Sequence, residues 1–173
     1  MHWRGTVAGL LVVIVTTGAA ADLTIATYNI ENYVAANRLI PDGYRKDYPK
    51  TEVAKAALRR VIRNLQADVL VLEEMGPRPY LDELQLDLEK DGVEYPEAIL
   101  LEADDPDRHV AILSRRKFKA VVPHAEVQFS DFDGVEKIKR GGLEGGSPTA
   151  GGEVTLWALH LRSRYTSRPD DPG

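Results

Sequence analysis

Polar side chains follow two apolar runs of this chain, and their types suit the binding of a cation and a phosphate. Asn29 ends the first run, and the pair Glu73 and Glu74 ends the second. In an α/β fold the carboxyl ends of neighbouring strands meet at one crevice. Carboxylate and amide oxygens are ligands that Mg²⁺ takes, with water and phosphate oxygens completing its shell. His160 ends a third apolar run, so we expect it at the same crevice.

Each of these residues also has a structural interpretation. Asn29 could cap a turn after its strand, as asparagine often does. The two glutamates could be a solvated surface pair, since exposed carboxylates are common. His160 alone is more often a core-edge histidine bonded to backbone than a catalyst. The joint placement of the three groups at strand ends favours function, whereas His109, beside an acidic turn, is interpreted as structural.

The first 21 residues predict a secretory signal peptide. Arg4 gives a positive start, an apolar stretch follows from Val7 to Val15, and three alanines precede Asp22. The alternative is an uncleaved membrane anchor, but the apolar stretch is short for a span of about 20 residues. We therefore expect an exported protein, secreted or periplasmic, with a single domain at 22–173. The chain has no cysteine, which excludes disulfides and thiolate metal sites.

The charge balance is acidic. The chain carries 22 Lys and Arg against 27 Asp and Glu, a formal net charge of −5. A protein that holds long duplex DNA through many phosphate contacts normally shows a basic surface. The composition therefore disfavours non-specific binding to duplex DNA, although local basic patches remain open.

Hydrophobic periodicity predicts alternating strands and helices up to Gly92. The strands have β-branched and alternating residues, and the run after Ala67 is apolar on both faces, as in a central strand. The helix before it carries apolar residues on one stripe, Val53, Ala57, Leu58, Val61 and Leu65, which we expect to be buried. The predicted elements are a strand Leu23–Tyr28, a loop Asn32–Pro49, a helix Thr51–Leu65, a strand Val69–Leu72 and a helix from Tyr80 to about Asp91.

The second half of the chain predicts short strands. The segment from Gly141 to Gly152 is rich in glycine and is interpreted as a flexible hairpin connection. Val154, Leu156, Ala158 and His160 alternate along the strand after it, and we expect them to face the core. The predicted strands are Val110–Leu113, Ala120–Val122, Val127–Phe129, Val135–Ile138 and Val154–Leu161.

Four of these segments resemble, in order, successive blocks of the endonuclease/exonuclease/phosphatase family, which is DNase I-like. The resemblance extends from about Leu23 to the last residue. The blocks are Ile25–Asn32, Ala67–Glu74, Val110–Arg115 and Ala158–Arg164.

The resemblance implies a fold and an activity. The fold class is α/β, of the mixed α+β kind: part of a four-layered α/β/β/α sandwich, with mixed sheets and flanking helices. The activity is metal-dependent phosphoester hydrolysis with Mg²⁺ or Mn²⁺, in which water attacks the phosphorus in line. Glu74 matches the metal-binding glutamate, Asn29 matches an asparagine at the metal and phosphate, and His160 matches a histidine that donates to phosphate, especially if protonated. The implied partner is a phosphoester substrate: nucleic acid, phospholipid or small phosphodiester.

The chain also departs from the family pattern. Glu73 stands where glutamine is common, and the glycine-rich segment replaces a family strand whose start resembles Lys139–Glu144. Arg140 in that segment is a candidate phosphate contact. The sequence contains no Gly-Asp-x-Asn block and no histidine after His160, both of which the family uses in catalysis.

These departures predict an N-terminal portion of the domain, with the second half missing. If the second sheet is absent, we expect a large apolar patch on the inner face of the first sheet. The alternatives are a catalytically inert fragment or a phosphate- or metal-binding module that needs a partner chain. An unrelated exported α/β binding protein with chance matches also remains open.

Overall fold

The computed structural model describes residues 23–131, 134–137, 140–149 and 152–160. The predicted signal peptide at 1–21 lies outside this range, as do Leu161 and the residues after it. Two helices and eleven strands are described: β1 Ile25–Tyr33, β2 Ala36–Ile40, β3 Gly43–Tyr48, α1 Glu52–Leu65, β4 Val69–Met75, α2 Arg78–Lys90, β5 Glu97–Leu101, β6 His109–Ser114, β7 Ala120–His124, β8 Gln128–Asp131, β9 Gly134–Lys137, β10 Gly142–Thr149 and β11 Gly152–Leu159.

The first sheet is mixed and has the strand order β1-β4-β6-β5. β4 pairs in parallel with β1 and antiparallel with β6, so the predicted central strand is confirmed. Along β4 the side chains alternate between two cores. Leu70 and Leu72 pack in a cluster with residues of α1 and α2, whereas Val69 and Val71 pack in a cluster with residues of β10 and β11. Both faces are covered, as the apolar run predicted.

Helix α1 lies where the sequence predicted it, but a different set of its residues is buried. Thr51 caps it, with its hydroxyl oxygen accepting a hydrogen bond from Ala54 N–H at 3.3 Å. The buried residues are Lys55, Leu58 and Ile62, while Val53 is 81% exposed. Of the predicted stripe only Leu58 is buried; Ala57, Val61 and Leu65 are exposed as well. The prediction failed because it placed Lys55 on the solvent side and left Ile62 out of the buried stripe.

The buried position of Lys55 follows from its partners. Its ammonium lies against the Glu83 carboxylate of α2 and 3.2 Å from that of Glu52, and it stands 5.6 Å from the centre of the Tyr33 ring. Long side chains can bury an aliphatic stem while the charged group is satisfied elsewhere. With its charge satisfied, Lys55 lies in the same buried row as Leu58 and Ile62.

The second sheet is antiparallel, with the order β11-β10-β7. Its central strand β10 is the glycine-rich segment, so the predicted flexible connection is wrong, and so is the expected loss of that strand. A Cβ atom on Gly145 would lie 2.9 Å from the Phe118 ring. Glycine is needed here because another side chain approaches the backbone closely.

This second sheet covers the inner face of the first. Leu143 and Ala158 are buried in the same cluster as Val71 and Ile112 of the first sheet. Among the described residues, this inner face therefore lacks the large exposed patch that was expected if the second sheet were absent. The described residues form three successive layers: the two helices, the first sheet and the second sheet. On the outer face of the second sheet, Val122, Trp157 and Leu159 are about half exposed.

The predicted loop at Asn32–Pro49 contains a hairpin of β2 and β3, which the sequence analysis missed. Leu39 faces Tyr44 across the hairpin, and Gly43 takes φ +109° at the turn. Its side chains are largely exposed, so the apolar alternation of a half-buried strand is absent. Among the described residues, no helix is long and apolar enough to span a membrane.

Candidate active site

The parallel pairing of β1 and β4 brings the two predicted strand ends together. Asn29 lies opposite Glu73 in the register. One carboxylate oxygen of Glu73 also accepts a hydrogen bond from the Thr27 hydroxyl at 3.0 Å. Because parallel strands run in the same direction, their carboxyl ends meet at one edge of the sheet, as the sequence predicted.

A strained bulge within β1, which we call the Glu31–Asn32 turn, connects Asn29 with Glu74. Glu31 and Asn32 both take φ +53°, and Glu74 takes φ +63°. Residues with a Cβ seldom adopt this left-handed conformation, which costs about 1 kcal/mol or more at each position. Asn29 Oδ1 accepts from Glu31 N–H at 2.9 Å, and Glu74 Oε2 accepts from Asn32 N–H at 3.1 Å. Asn29 Oδ1 thus bonds the backbone two residues on, as a turn-capping asparagine does, but inside β1 and not in a turn after the strand. The same segment ties Asn29 to Glu74.

His160 reaches this edge from the second sheet, directly after β11. Its Nε2 atom lies 3.9 Å from Glu73 Oε2 and 3.9 Å from Glu74 Oε1. The side chains are 9% exposed for His160, 22% for Glu73 and 17% for Glu74. The two glutamates are therefore not a solvated surface pair. The structure brings Glu74 and His160 together, with Asn29 joined to Glu74 through the turn.

Arg140 lies beside His160. Its Nη1 atom is 3.0 Å from Nδ1 and 2.9 Å from Nε2 of the imidazole, and its Nε is 3.5 Å from Asp105 Oδ2. Burial and the Arg140 charge lower the pKa of His160, while Glu73 and Glu74 partly oppose them. The free site therefore favours a neutral imidazole, whereas the role implied by the family resemblance is strongest for the protonated form.

Sequence reasoning missed two cations at this edge. Lys50 is 8% exposed and donates to the Glu31 carbonyl at 2.9 Å. Arg38 donates to the carbonyls of Asn32 and Val34. Burial lowers the pKa of Lys50, and the Glu31 carboxylate partly offsets this. Neither residue belongs to a periodic or motif pattern, so no signal in the sequence marked them.

The oxygen donors at this edge fit a hard divalent cation. Glu74 Oε2 is bonded to backbone, but Oε1 faces His160 at a distance too long for a hydrogen bond. Among the described residues, no three Asp, Glu or His side chains form a complete metal cluster. Mg²⁺ commonly takes one or two carboxylates and fills its shell with water and phosphate oxygens. The donors therefore suit such an open site and not a closed protein cage.

Fold and strand-end chemistry together define the class of protein, a phosphoesterase-type α/β fold. A model of the Endonuclease/Exonuclease/phosphatase family matches residues 26–172. The chain belongs to this family, whose members act on phosphoesters and generally depend on divalent metals. The predicted family and fold class are confirmed.

Other comparisons support the fold. No curated protein matches the sequence. The chain is similar to the solved structure of a β-hairpin deletion mutant of beta toxin from Staphylococcus aureus, with a TM-score of 0.51 and 18% sequence identity. The similarity covers 85% of this chain and 53% of the toxin chain, so this chain spans about half the toxin's length.

Proposed function

We propose that the protein is an exported hydrolase that cleaves a phosphoester with the aid of Mg²⁺ or Mn²⁺. The observation that carries the proposal is the position of His160, whose Nε2 lies 3.9 Å from carboxylate oxygens of both Glu73 and Glu74. Two acids from one sheet and a histidine from the other therefore face each other at an edge. The family membership of residues 26–172 supports the same reaction class.

Each residue has a role that its surroundings suit. Glu74 holds the cation through Oε1, because Oε2 is bonded to Asn32. Asn29 Oδ1 already accepts one hydrogen bond, and its second lone pair is left for the cation, while its Nδ2 group can donate to a phosphate oxygen. The bound cation supplies Lewis acidity toward the phosphoryl oxygen and a more acidic water.

His160 and Arg140 serve the phosphate. A phosphate anion that enters beside His160 favours the protonated imidazole, which can then donate to a phosphate oxygen as charge develops. Arg140 presents a fixed guanidinium next to the ring and can donate to a second oxygen. The acidic net charge of −5 disfavours long duplex DNA as the substrate.

The direct test is hydrolysis of bis(p-nitrophenyl) phosphate by the full chain, with and without EDTA. We expect Mg²⁺- or Mn²⁺-dependent turnover that falls by at least about a hundredfold in Glu74→Ala, since Glu74 holds the cation and loss of transition-state charge stabilisation has effects of that order. Glu89→Ala removes an exposed carboxylate from α2 and should leave the rate unchanged. Turnover that resists both EDTA and Glu74→Ala would contradict the proposal.

A second candidate is a catalytically inert module that binds metal or phosphate and needs a partner chain. Glu74 Oε1 and Asn29 Oδ1 offer oxygen ligands to a cation, and binding alone needs no group that positions an attacking water. Mn²⁺ binding by paramagnetic resonance separates the two candidates. Binding that is lost in Glu74→Ala, without turnover, supports the inert module.

A further inference from the structure

Two consecutive left-handed residues, Glu31 and Asn32, lie between the candidate ligands Asn29 and Glu74. Both take φ +53°, and neither is glycine. A single left-handed residue is common in turns, but two in succession with side chains are held only when surrounding contacts fix them. The contacts that fix this turn therefore also fix the ligands that bond to it.

All four backbone hydrogen-bonding groups of the two residues have side-chain partners. The Glu31 N–H donates to Asn29 Oδ1 at 2.9 Å, and the Asn32 N–H donates to Glu74 Oε2 at 3.1 Å. The Glu31 carbonyl accepts from Lys50 at 2.9 Å, and the Asn32 carbonyl accepts from Arg38. Two candidate ligands hold the N–H groups, and two cations hold the carbonyl groups.

The main polar contact of the buried Lys50 ammonium is the Glu31 carbonyl. It is 8% exposed, yet its closest acidic oxygen here, Glu31 Oε2, is 3.9 Å away on a side chain that is 86% exposed. An exposed ion pair of this kind adds little. A charged donor bonded to a backbone carbonyl in a shielded position makes a stronger and more directional contact.

We propose that Lys50 is a positioning residue for the cation site and acts through the Glu31–Asn32 turn. The inference rests on the proposed function, since it concerns the same Glu74 and Asn29. Lys50 holds the Glu31 carbonyl, the turn keeps the Asn32 N–H on Glu74 Oε2, and Glu74 Oε1 stays directed toward His160. Loss of Lys50 frees the turn and lets the Glu74 carboxylate reorient.

A positioning role and a purely electrostatic role of Lys50 predict opposite changes in cation affinity when Lys50 is removed. Lys50 and Glu74 are close enough to attract each other. If Lys50 acted only as a positive charge, its removal would strengthen the binding of a divalent cation. If it positions Glu74, its removal weakens that binding, because residues that orient a metal ligand typically contribute tenfold or more to affinity.

The test measures Mn²⁺ binding to the full chain by paramagnetic resonance for the wild type, Lys50→Met and Lys117→Met. Lys117 is exposed, so its variant removes the same charge without touching the turn. We expect affinity to fall about tenfold in Lys50→Met and to stay unchanged in Lys117→Met. Lys50→Arg, which keeps a charged donor, should recover part of the loss. Binding that is equal or tighter in Lys50→Met overturns the proposal.

A second measurement separates this inference from the proposed function. Hydrogen exchange at the Asn32 amide, followed by NMR in EDTA, reports the turn without any metal. If the wild type binds no Mn²⁺, the proposed function fails, and faster exchange in Lys50→Met than in Lys117→Met still supports the role of Lys50 in the turn. Equal exchange rates at the Asn32 amide in the two variants overturn the role of Lys50 in the turn. If Lys50→Met does not fold, Arg38→Met releases the neighbouring carbonyl and undergoes the same two measurements.

Discussion

The two sheets of this protein are built in different ways. In the first sheet, β4 is buried on both faces, and Leu70 and Leu72 are completely shielded from solvent. In the second sheet, the central strand β10 has glycines where its neighbours have bulky residues, and the outer face leaves Trp157 53% exposed. Side-chain packing shapes the first sheet, whereas close approach of backbone and rings shapes the second.

The candidate site combines residues from both sheets. Its acids, Glu73 and Glu74, come from the tightly packed first sheet, while His160 and Arg140 come from the second. The relative position of the two halves depends on the cluster between the sheets, where Phe118 and neighbouring residues pack on the first sheet. Changes in the first sheet should therefore affect stability most, and changes in the second should affect the site with less loss of stability.

The largest expected effect is that of Leu70→Ala. Leu70 is 0% exposed, and truncation of such a residue costs about 2–5 kcal/mol because it removes contacts and leaves a cavity. Leu159→Ala is the matched change in the second sheet, where the side chain is 48% exposed, and should cost less than about 1 kcal/mol. Urea unfolding in EDTA measures both. Equal costs would show that the sheets do not differ in packing.

A smaller effect is expected from Gly145→Ala. The added Cβ would lie 2.9 Å from the Phe118 ring, and overpacking of this kind costs about 1–3 kcal/mol. Gly146→Ala is the control, since its Cβ would meet a Glu153 carboxylate oxygen at 3.1 Å, and a flexible exposed side chain can move away. Thermal unfolding compares the two. A larger loss in Gly146→Ala would contradict the close approach as the reason for glycine in β10.

The smallest expected effect concerns the helical layer on the first sheet. Asp87 of α2 bonds Lys90 at 2.9 Å and Arg59 of α1 at 3.3 Å. The hydrogen bond from Lys90 and the nearby positive charges lower the pKa of Asp87. A lowered folded-state pKa stabilises the protein fully above the unfolded value, about 3.9, and this stabilisation is lost as the pH falls through the folded value.

Asp87→Asn should therefore reduce the free energy of unfolding by about 1 kcal/mol or less at pH 6. The difference from the wild type should shrink toward zero as the pH falls through the lowered folded-state pKa of Asp87. Denaturant unfolding at a series of pH values measures this, with Glu89→Gln as an exposed control on the same helix. A difference that stays constant down to low pH would rule out the ionised carboxylate as its cause.

Sequence patterns predicted most elements that depend on apolar side chains, although the apolar strand β5 was missed. The run after Ala67 predicted a central strand, and it is one, because four successive buried residues require cover on both faces. The pattern failed for β10, because its glycines carry no apolar side chains that could mark a strand. It also failed for α1, because Lys55 is buried against the acidic side chain of Glu83. Both cases depend on partners that are distant in the chain.

The sequence by itself determined the family, the two helices, the central strand of the first sheet and the residue types at the strand ends. Asn29, Glu74 and His160 were selected because each follows an apolar run, and that property is local. Only the tertiary structure decided that Asn29 and Glu74 share a left-handed turn, that Lys50 and Arg38 hold it, and that Arg140 lies against His160. Hydrogen bonds between residues 19 to 42 positions apart, such as those of this turn, have no periodic signature, because their geometry is fixed by the packing of strands around them.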